Sequence, residues 1–235
     1  MANRFLPTAS IWISFLTGLL MPLQTLAAPE QPFTQEFRLS TSQAPVSVTA
    51  KRRLRQIDAT TWQMEIEARN LLGRIREVTR FSWDQCTPQT TRYSYLREGL
   101  GQKREATLTL DRNTGMALST RTNGKTREYP IDVTTTDKLS QTLALQCMLQ
   151  RGDSELVVDV ADEKGREQEH YLRDGEEILR TPAGKLRTVR LLRAHDGDKK
   201  RRRTWLWFAT DHNFSLVKLV QEEDNQRHEM LIRSL

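Results

Sequence analysis

The sequence predicts a mainly β domain, built as an antiparallel meander with one α-helix. Apolar side chains recur at every second position, turns containing Asn or Gly separate these runs, and only one segment has helical spacing. Many strands joined by short turns favour a meander over βαβ units.

The period of two is clearest where Trp62, Met64, Ile66 and Ala68 alternate with polar residues, which is typical of a half-buried strand. The other predicted strands are residues 46–50, 75–83, 91–97, 105–111, 116–122, 155–160, 167–173, 186–194, 204–209, 216–221 and 228–232. Turn pairs such as Asn123-Gly124 and Asp174-Gly175 supply the left-handed backbone that hairpins require.

One helix is predicted after Asp137, whose carboxylate can accept the free backbone N–H groups of a first turn. Leu139, Leu143 and Cys147 follow at four-residue steps and define an apolar face. Gly152 is the expected stop. Such a helix packs its apolar side on a sheet.

The first residues predict a cleavable signal peptide, residues 1–27, followed by a single β-rich periplasmic domain, residues 28–235. Arg4 is the only charge before Glu30, the apolar run is about 13 residues long, and small residues at Thr25 and Ala27 fit the cleavage pattern. The alternative is a transmembrane anchor, which needs about 20 apolar residues.

The two cysteines, Cys86 and Cys147, favour one disulfide in an exported chain. The alternatives are two buried free thiols or a redox pair, although a thioredoxin-like site would need Cys-x-x-Cys. The chain-entropy model gives about 4 kcal/mol for a loop of this length.

The charge balance is mildly basic, at +6 for the whole chain and +5 once Arg4 leaves with the leader. This surplus suits anionic surfaces such as lipid head groups. Nucleic acid is excluded as a partner by export. No later segment is apolar enough to span a membrane, so no stable span is expected after cleavage. The sequence does not indicate an oligomeric state.

From Asp137 onward the chain resembles the domain of unknown function 3108 family of exported bacterial proteins, mainly over the C-terminal half. The matching segments are Asp137-Lys138-Leu139-Ser140, Tyr171, Gly175-Glu176-Glu177, Thr181-Pro182-Ala183-Gly184, Thr188-Val189, Trp207-Phe208-Ala209-Thr210-Asp211 and Val217-Lys218. The resemblance implies a curved antiparallel sheet, half-barrel or open barrel-like, with one packed α-helix. It implies no catalytic residues.

The strand around Trp205 is a candidate ligand-binding element. Trp205 and Trp207 point to one face, and Leu206 and Phe208 to the other. One interpretation is a central strand covered on both sides. The other is that one face lines an apolar cavity for an acyl chain or similar ligand.

A basic run precedes this strand and forms the second candidate binding element: Lys199, Lys200, Arg201, Arg202 and Arg203. It follows Asp196-Gly197-Asp198, so we place it at a hairpin tip. It is either a solvated loop or a binding site for lipid phosphates or an acidic partner.

Catalytic and cofactor motifs are missing from the sequence. There is no Gly-x-Ser-x-Gly, no His-Glu-x-x-His and no phosphate-binding loop, and the four histidines show no ligand spacing. We therefore expect no catalytic residues, no metal and no cofactor.

Three hypotheses follow. The first is a non-enzymatic periplasmic protein that binds an amphiphilic or lipid-like ligand in envelope maintenance, with the ligand on the concave face near Trp205 and Trp207 and its anionic groups near residues 199–203. The second is a surface module for an envelope protein or glycan, and the third is an enzyme of unknown chemistry.

Overall fold

The computed structural model describes residues 31–71, 73–194 and 202–235, apart from the side chains of residues 44–46. The described chain forms one helix and one curved sheet, which is antiparallel except for the short β9–β10 pair. The strands are β1 (Phe33–Thr41), β2 (Ala44–Gln56), β3 (Trp62–Asn70), β4 (Gly73–Asp84), β5 (Thr87–Gly99), β6 (Gln102–Asp111), β7 (Met116–Arg121), β8 (Thr126–Pro130), β9 (Thr136–Asp137), β10 (Leu156–Asp162), β11 (Gly165–Thr181), β12 (Gly184–Ala194), β13 (Arg203–Ala209), β14 (Ser215–Glu223) and β15 (Gln226–Ser234), and the helix is α1 (Gln141–Arg151).

The sheet consists of two meanders that meet in its middle. The strand order is β8-β7-β6-β5-β4-β3-β2-β1-β15-β14-β13-β12-β11-β10-β9, so the first strand pairs with the last. The N-terminal half runs outward to β8, α1 then crosses one face, and the C-terminal half returns from β10. The predicted fold class, an open curved antiparallel sheet with one packed helix, is confirmed.

Every strand predicted from the sequence is present, and three further strands were missed. In β1, Phe33, Phe37 and Leu39 have the right spacing, but Gln35 interrupts the apolar pattern. Gln35 is nevertheless buried, because its side-chain oxygen accepts a hydrogen bond of 3.0 Å from buried Arg52. The missed strands β8 and β9 are edge strands of five and two residues.

The helix α1 lies on what we call the inner face of the sheet, and the opposite face is the outer face. Leu143 packs with the N-terminal half against Tyr93 and Leu108. Leu145 and Leu149 pack with the C-terminal half. The helix therefore joins the cores of both halves.

The helix ends largely follow the prediction. Gly152 has φ 76°, and the N–H groups of Gly152 and Asp153 donate to the carbonyls of Leu149 and Met148, which closes the last turn. At the other end the N-cap is Ser140 rather than Asp137. The Asp137 carboxylate still accepts the N–H groups of Leu139 and Ser140, but in the turn that precedes the helix.

The disulfide between Cys86 and Cys147 is present, with its Cα atoms 5.3 Å apart. It joins the turn between β4 and β5 to the last turn of α1. The prediction of one disulfide is confirmed, and the bond ties the N-terminal half to the helix.

Two turns show why particular residues are needed. Asp224 and Asn225 form the two-residue turn between β14 and β15 with φ 48° and 64°, a conformation that Asp and Asn tolerate better than most residues. At Gly73, an added Cβ would lie 2.3 Å from the carbonyl oxygen of Glu98, so only glycine fits there.

The two edges of the sheet meet through side chains instead of a backbone ladder. The β10–β11 turn presents its carbonyls to β7 and β8. Arg121 donates to the Glu163 carbonyl at 2.6 Å, and the Tyr129 hydroxyl donates to the Asp162 carbonyl at 2.5 Å. We call this junction the seam.

Candidate functional site

The candidate strand β13 is apolar on both faces, and the helix covers only one of them. Leu206 and Phe208 pack with Leu145 on the inner face. Side chains alternate along a strand, so Trp205 and Trp207 lie on the outer face. A ligand that contacts Trp205 and Trp207 would therefore lie on the face of β13 that α1 leaves uncovered, and ligand binding there stays a prediction.

Trp207 is built into the outer face and is only 6% exposed. Its indole N–H donates to a Glu177 carboxylate oxygen at 2.7 Å. The ammonium of Lys218 lies 4.7 Å from the ring centroid and the guanidinium of Arg190 lies 5.9 Å from it. Both cations stand directly opposite Trp207 in the neighbouring strands. The ring of Trp207 therefore has cation–π partners and its N–H has a hydrogen-bond acceptor within the protein.

Trp205 belongs to an apolar row that crosses four neighbouring strands. The pairing register places Leu172, Leu192, Trp205 and Val220 side by side on the outer face, and we call this set the outer row. Leu172 is 57% exposed, Leu192 and Trp205 are half-buried, and Val220 is buried. Unlike Trp207, Trp205 donates its indole N–H to no partner within the described chain. The outer row thus combines accessible apolar surface with a free donor.

The basic run is only partly described. Lys199, Lys200 and Arg201 lie outside the described residues. Arg203 stands directly opposite Glu222 and shares the outer face with Trp205. Arg202 approaches a carboxylate oxygen of Glu223 at 3.5 Å. By sequence the run lies between β12 and β13.

The inner face carries polar networks that the sequence analysis missed. Asp137 is fully buried, and its second carboxylate oxygen accepts hydrogen bonds from Thr79 and Thr90 at 2.6 Å and from Ser140 at 2.5 Å. The carboxylate therefore has five donors, counting the two backbone N–H groups. Because its acceptor capacity is used, Asp137 orders the start of the helix and leaves no lone pair for a general base.

A second inner network surrounds Lys138. Its ammonium lies 5.2 Å from the ring centroids of both Tyr93 and Tyr95, and 3.5 Å from a carboxylate oxygen of Glu163. The Tyr93 hydroxyl donates to Glu77 at 2.6 Å. Burial raises the pKa of Glu77 above its ordinary value, against the opposing effect of Lys138. Burial also raises the pKa of Glu163, but Lys138, a backbone hydrogen bond and Arg104 together bring it below its ordinary value.

A third inner network lies under the C-terminal half. Tyr171 contacts the side chains of Glu169 and Gln141, and Arg193 pairs with Glu169 at 2.8 Å. Burial raises the pKa of Glu169, while Arg193 opposes the rise. The sequence signal for these networks was a polar residue at an inward-facing strand position. Such a residue interrupts the apolar alternation, so it was not recognised as buried.

Two depressions in the described surface are lined by strand and turn residues. One, of about 360 Å³, is lined at the β14–β15 turn by residues such as Glu222, Glu223 and Arg227. Another, of about 330 Å³, is lined on the outer face of β2 and β3 by residues such as Lys51, Glu65 and Arg69. Both are lined mainly by charged residues of both signs, so neither suits an acyl chain.

Among the residues that the structure describes, no three His, Cys, Asp or Glu side chains converge as metal ligands. His195, one of the four histidines, lies outside those residues. Across the described ranges, no helix has the length and apolar character needed to cross a membrane.

Comparison with solved structures gives a fold relationship. A β-barrel-like protein of domain of unknown function DUF1849 from Brucella abortus superposes with a TM-score of 0.57 at 8% identity, covering 86% of this chain and 96% of that one. A candidate lipoprotein from Parabacteroides distasonis is aligned over 88% of this chain and 95% of its own, at 10% identity and a TM-score of 0.34. The first supports the curved-sheet fold, and the second is too dissimilar to carry an argument.

Comparison with curated proteins gave no match. A model of the family described as "Protein of unknown function (DUF3108)" matches residues 35–233. The resemblance expected mainly over the C-terminal half therefore extends over nearly the whole chain, because the N-terminal strands carry the family pattern as well. The chain belongs to the DUF3108 family of proteins of unknown function.

Proposed function

We propose that this is an exported, non-catalytic binding protein of the periplasm, and that it holds an amphiphilic ligand with an anionic group on the outer face of β11–β14. Export rests on the predicted signal peptide, residues 1–27, and agrees with the disulfide. The outer row carries the proposal, because Trp205 offers apolar surface and an indole N–H with no partner among the described residues, and Arg203 shares its face.

The contrast between the two tryptophans supports this position for the ligand. Trp207 has its N–H bound by Glu177, so it acts as a fixed support. Trp205 is half-buried and can still gain contacts. Covering a tryptophan ring and giving its N–H an acceptor is a favourable step at interfaces. By sequence, residues 199–203 carry five positive charges, which favours an anionic group on the ligand.

The surface of the proposed site is open, which also favours the second candidate, a module that binds an envelope protein or glycan. A flat row crossing four strands can accept a partner surface without a cavity. The two functions differ in what co-purifies with the protein, which is an amphiphile for the first and an envelope protein or glycan for the second.

Mass spectrometry of lipids that co-purify with the native protein from periplasm distinguishes them. We expect an anionic amphiphile in the wild type and at least about tenfold less in Trp205→Ala, whereas Trp83→Phe, on the inner face, keeps it. Absence of amphiphile in the wild type, together with specific capture of one envelope protein lost in Trp205→Ala, would favour the second function instead.

A further inference from the structure

A second charged surface lies on the inner face at the seam, away from the outer row. The register places Arg97 and Arg104 directly opposite each other on β5 and β6. Arg121 on β7 and Lys138 before the helix reach the same turn from other sides. We call these four cations the seam cluster.

Few carboxylates compensate these cations. Glu163 accepts from Lys138 at 3.5 Å and from Arg104 at 3.4 Å. Arg121 donates to the backbone carbonyl of Glu163, a neutral group that leaves its charge uncompensated. The Arg97 side chain makes no hydrogen bond or ion pair within the described chain. Within the described chain, Glu163 is therefore the one carboxylate that forms ion pairs with these four cations.

Glu77 is the other acid on this part of the inner face. It lies one row deeper than Arg97, beside Tyr95, and accepts a hydrogen bond from Tyr93. It is turned toward the buried tyrosine and Lys138, so it does not neutralise the arginines at the sheet end.

Arg97 and Arg104 are positioned to share one anion. Side chains directly opposite each other in an antiparallel pair start about 5 Å apart, and like charges there repel. Two neighbouring guanidinium groups match the oxygens of a phosphate group, which accepts paired N–H donors from each. A bound oxyanion would replace repulsion between the arginines with attraction to both.

We propose that the seam cluster, Arg97, Arg104, Arg121 and Lys138, is a binding site for a phosphate group. The group is carried either by the free ion or by a phosphodiester such as a lipid head group. This site lies on the opposite face from the outer row and does not depend on the function proposed above.

The sheet itself supplies a matched control. Arg80 and Arg92 also stand directly opposite each other, but on the outer face, where the residue beside Arg80 in the next strand is Gln63 and not a cation. If two adjacent arginines are enough to bind phosphate, replacing either pair should weaken phosphate binding equally. If the whole seam cluster is needed, only replacement of Arg97 and Arg104 should weaken it.

The test is a thermal-unfolding titration of the full mature chain with sodium phosphate, against sodium chloride at equal ionic strength. Chloride reports screening alone. We expect a saturable rise in Tm with phosphate, weakened at least about tenfold in Arg97→Gln/Arg104→Gln and unchanged in Arg80→Gln/Arg92→Gln. Glu163→Gln should tighten phosphate binding, because it removes the competing carboxylate. Circular dichroism confirms that each variant folds.

A parallel titration with dihexanoyl phosphatidylglycerol, kept below its critical micelle concentration, identifies the source. A tighter midpoint than that of inorganic phosphate assigns the site to a head group, and a weaker one assigns it to the free ion. Equal losses in the two double variants, or a phosphate effect no larger than that of chloride, would overturn the proposal.

Discussion

The outer faces of the two halves of the sheet differ in what they display. On β3 and β4, Arg74 pairs with Glu67 and Arg76 with Glu65, each at 2.7 Å. Acids and bases alternate across the strands, which is the arrangement of a solvated face. On β11–β14, the outward-facing strand positions include the outer row and Trp207.

The charged side chains on the outer face of β3 and β4 pair with each other, whereas the outer row on β11–β14 leaves apolar surface exposed. Exposed ion pairs contribute about 0–1 kcal/mol each and need no partner. The outer row leaves Leu172 mostly exposed and the Trp205 N–H free of partners in the described chain. The same strand geometry supports both faces, so side-chain identity alone decides which one can bind.

Replacing Trp207 should have the largest effect on folding. Trp207→Ala removes a buried ring and the shorter of the two hydrogen bonds to Glu177, whose other donor is Arg190 at 3.4 Å, so we expect a loss of about 3–5 kcal/mol in the free energy of unfolding. Urea unfolding followed by circular dichroism measures it. A loss below about 1 kcal/mol would mean that Trp207 is not a fixed support of the outer face.

The disulfide should come next. Replacing Cys86 and Cys147 by Ala opens a loop with a sequence separation of 61, for which we expect a loss of about 2–4 kcal/mol. Because the bond joins the N-terminal half to α1, hydrogen exchange should increase at the β4–β5 turn before it increases in β13. Uniform loosening of both halves would contradict this division.

Glu77 should give a smaller and pH-dependent effect. Its pKa is raised in the folded state, so the folded protein binds its proton more tightly than the unfolded chain does. The stability contribution is therefore lost as the pH rises from its ordinary pKa, about 4.3, through the raised one. Glu77→Gln keeps an acceptor for Tyr93 and should flatten this dependence.

Urea unfolding at pH 4 and pH 8 checks the Glu77 prediction. The variant should gain stability relative to wild type at the higher pH and not at the lower one. Glu65→Gln, at an ion-paired outer position, serves as the control and should not gain. An identical pH dependence in wild type and Glu77→Gln would show that this carboxyl is not strained by burial.

The charged outer face should show the smallest effect. Arg76→Ala, Glu65→Ala and their double variant form a cycle whose coupling energy we expect to be about 0.2–1 kcal/mol, decreasing with salt. A coupling above about 2 kcal/mol would show that the N-terminal outer face is also energetically specialised.

The sequence predicted the strands and the helix better than it predicted the buried polar contacts between them. Alternation of apolar residues located most of the strands, and the helix spacing located α1. Gln35 hid β1, because a buried amide paired with Arg52 looks like a polar break in the pattern. The helix was predicted from the residue spacing within its own segment, and the disulfide from the number of cysteines in an exported chain. Both are present.

The candidate site was only partly predictable. Alternation showed that Trp205 and Trp207 share a face, but it cannot tell which face curves around the helix. Only the packing of Leu206 and Phe208 on α1 decides that. The seam cluster depends on contacts between strands far apart in the chain, and single-sequence patterns do not report such contacts.

Fluorescence quenching by a brominated anionic amphiphile tests most directly whether the ligand binds outside the sheet. We expect the quenching to be largely lost in Trp205→Phe and retained in Trp62→Phe and Trp83→Phe, whose tryptophans lie on the inner face. Quenching that persists in Trp205→Phe and disappears when the inner tryptophans are replaced would place the amphiphile beside the helix and contradict the proposed site.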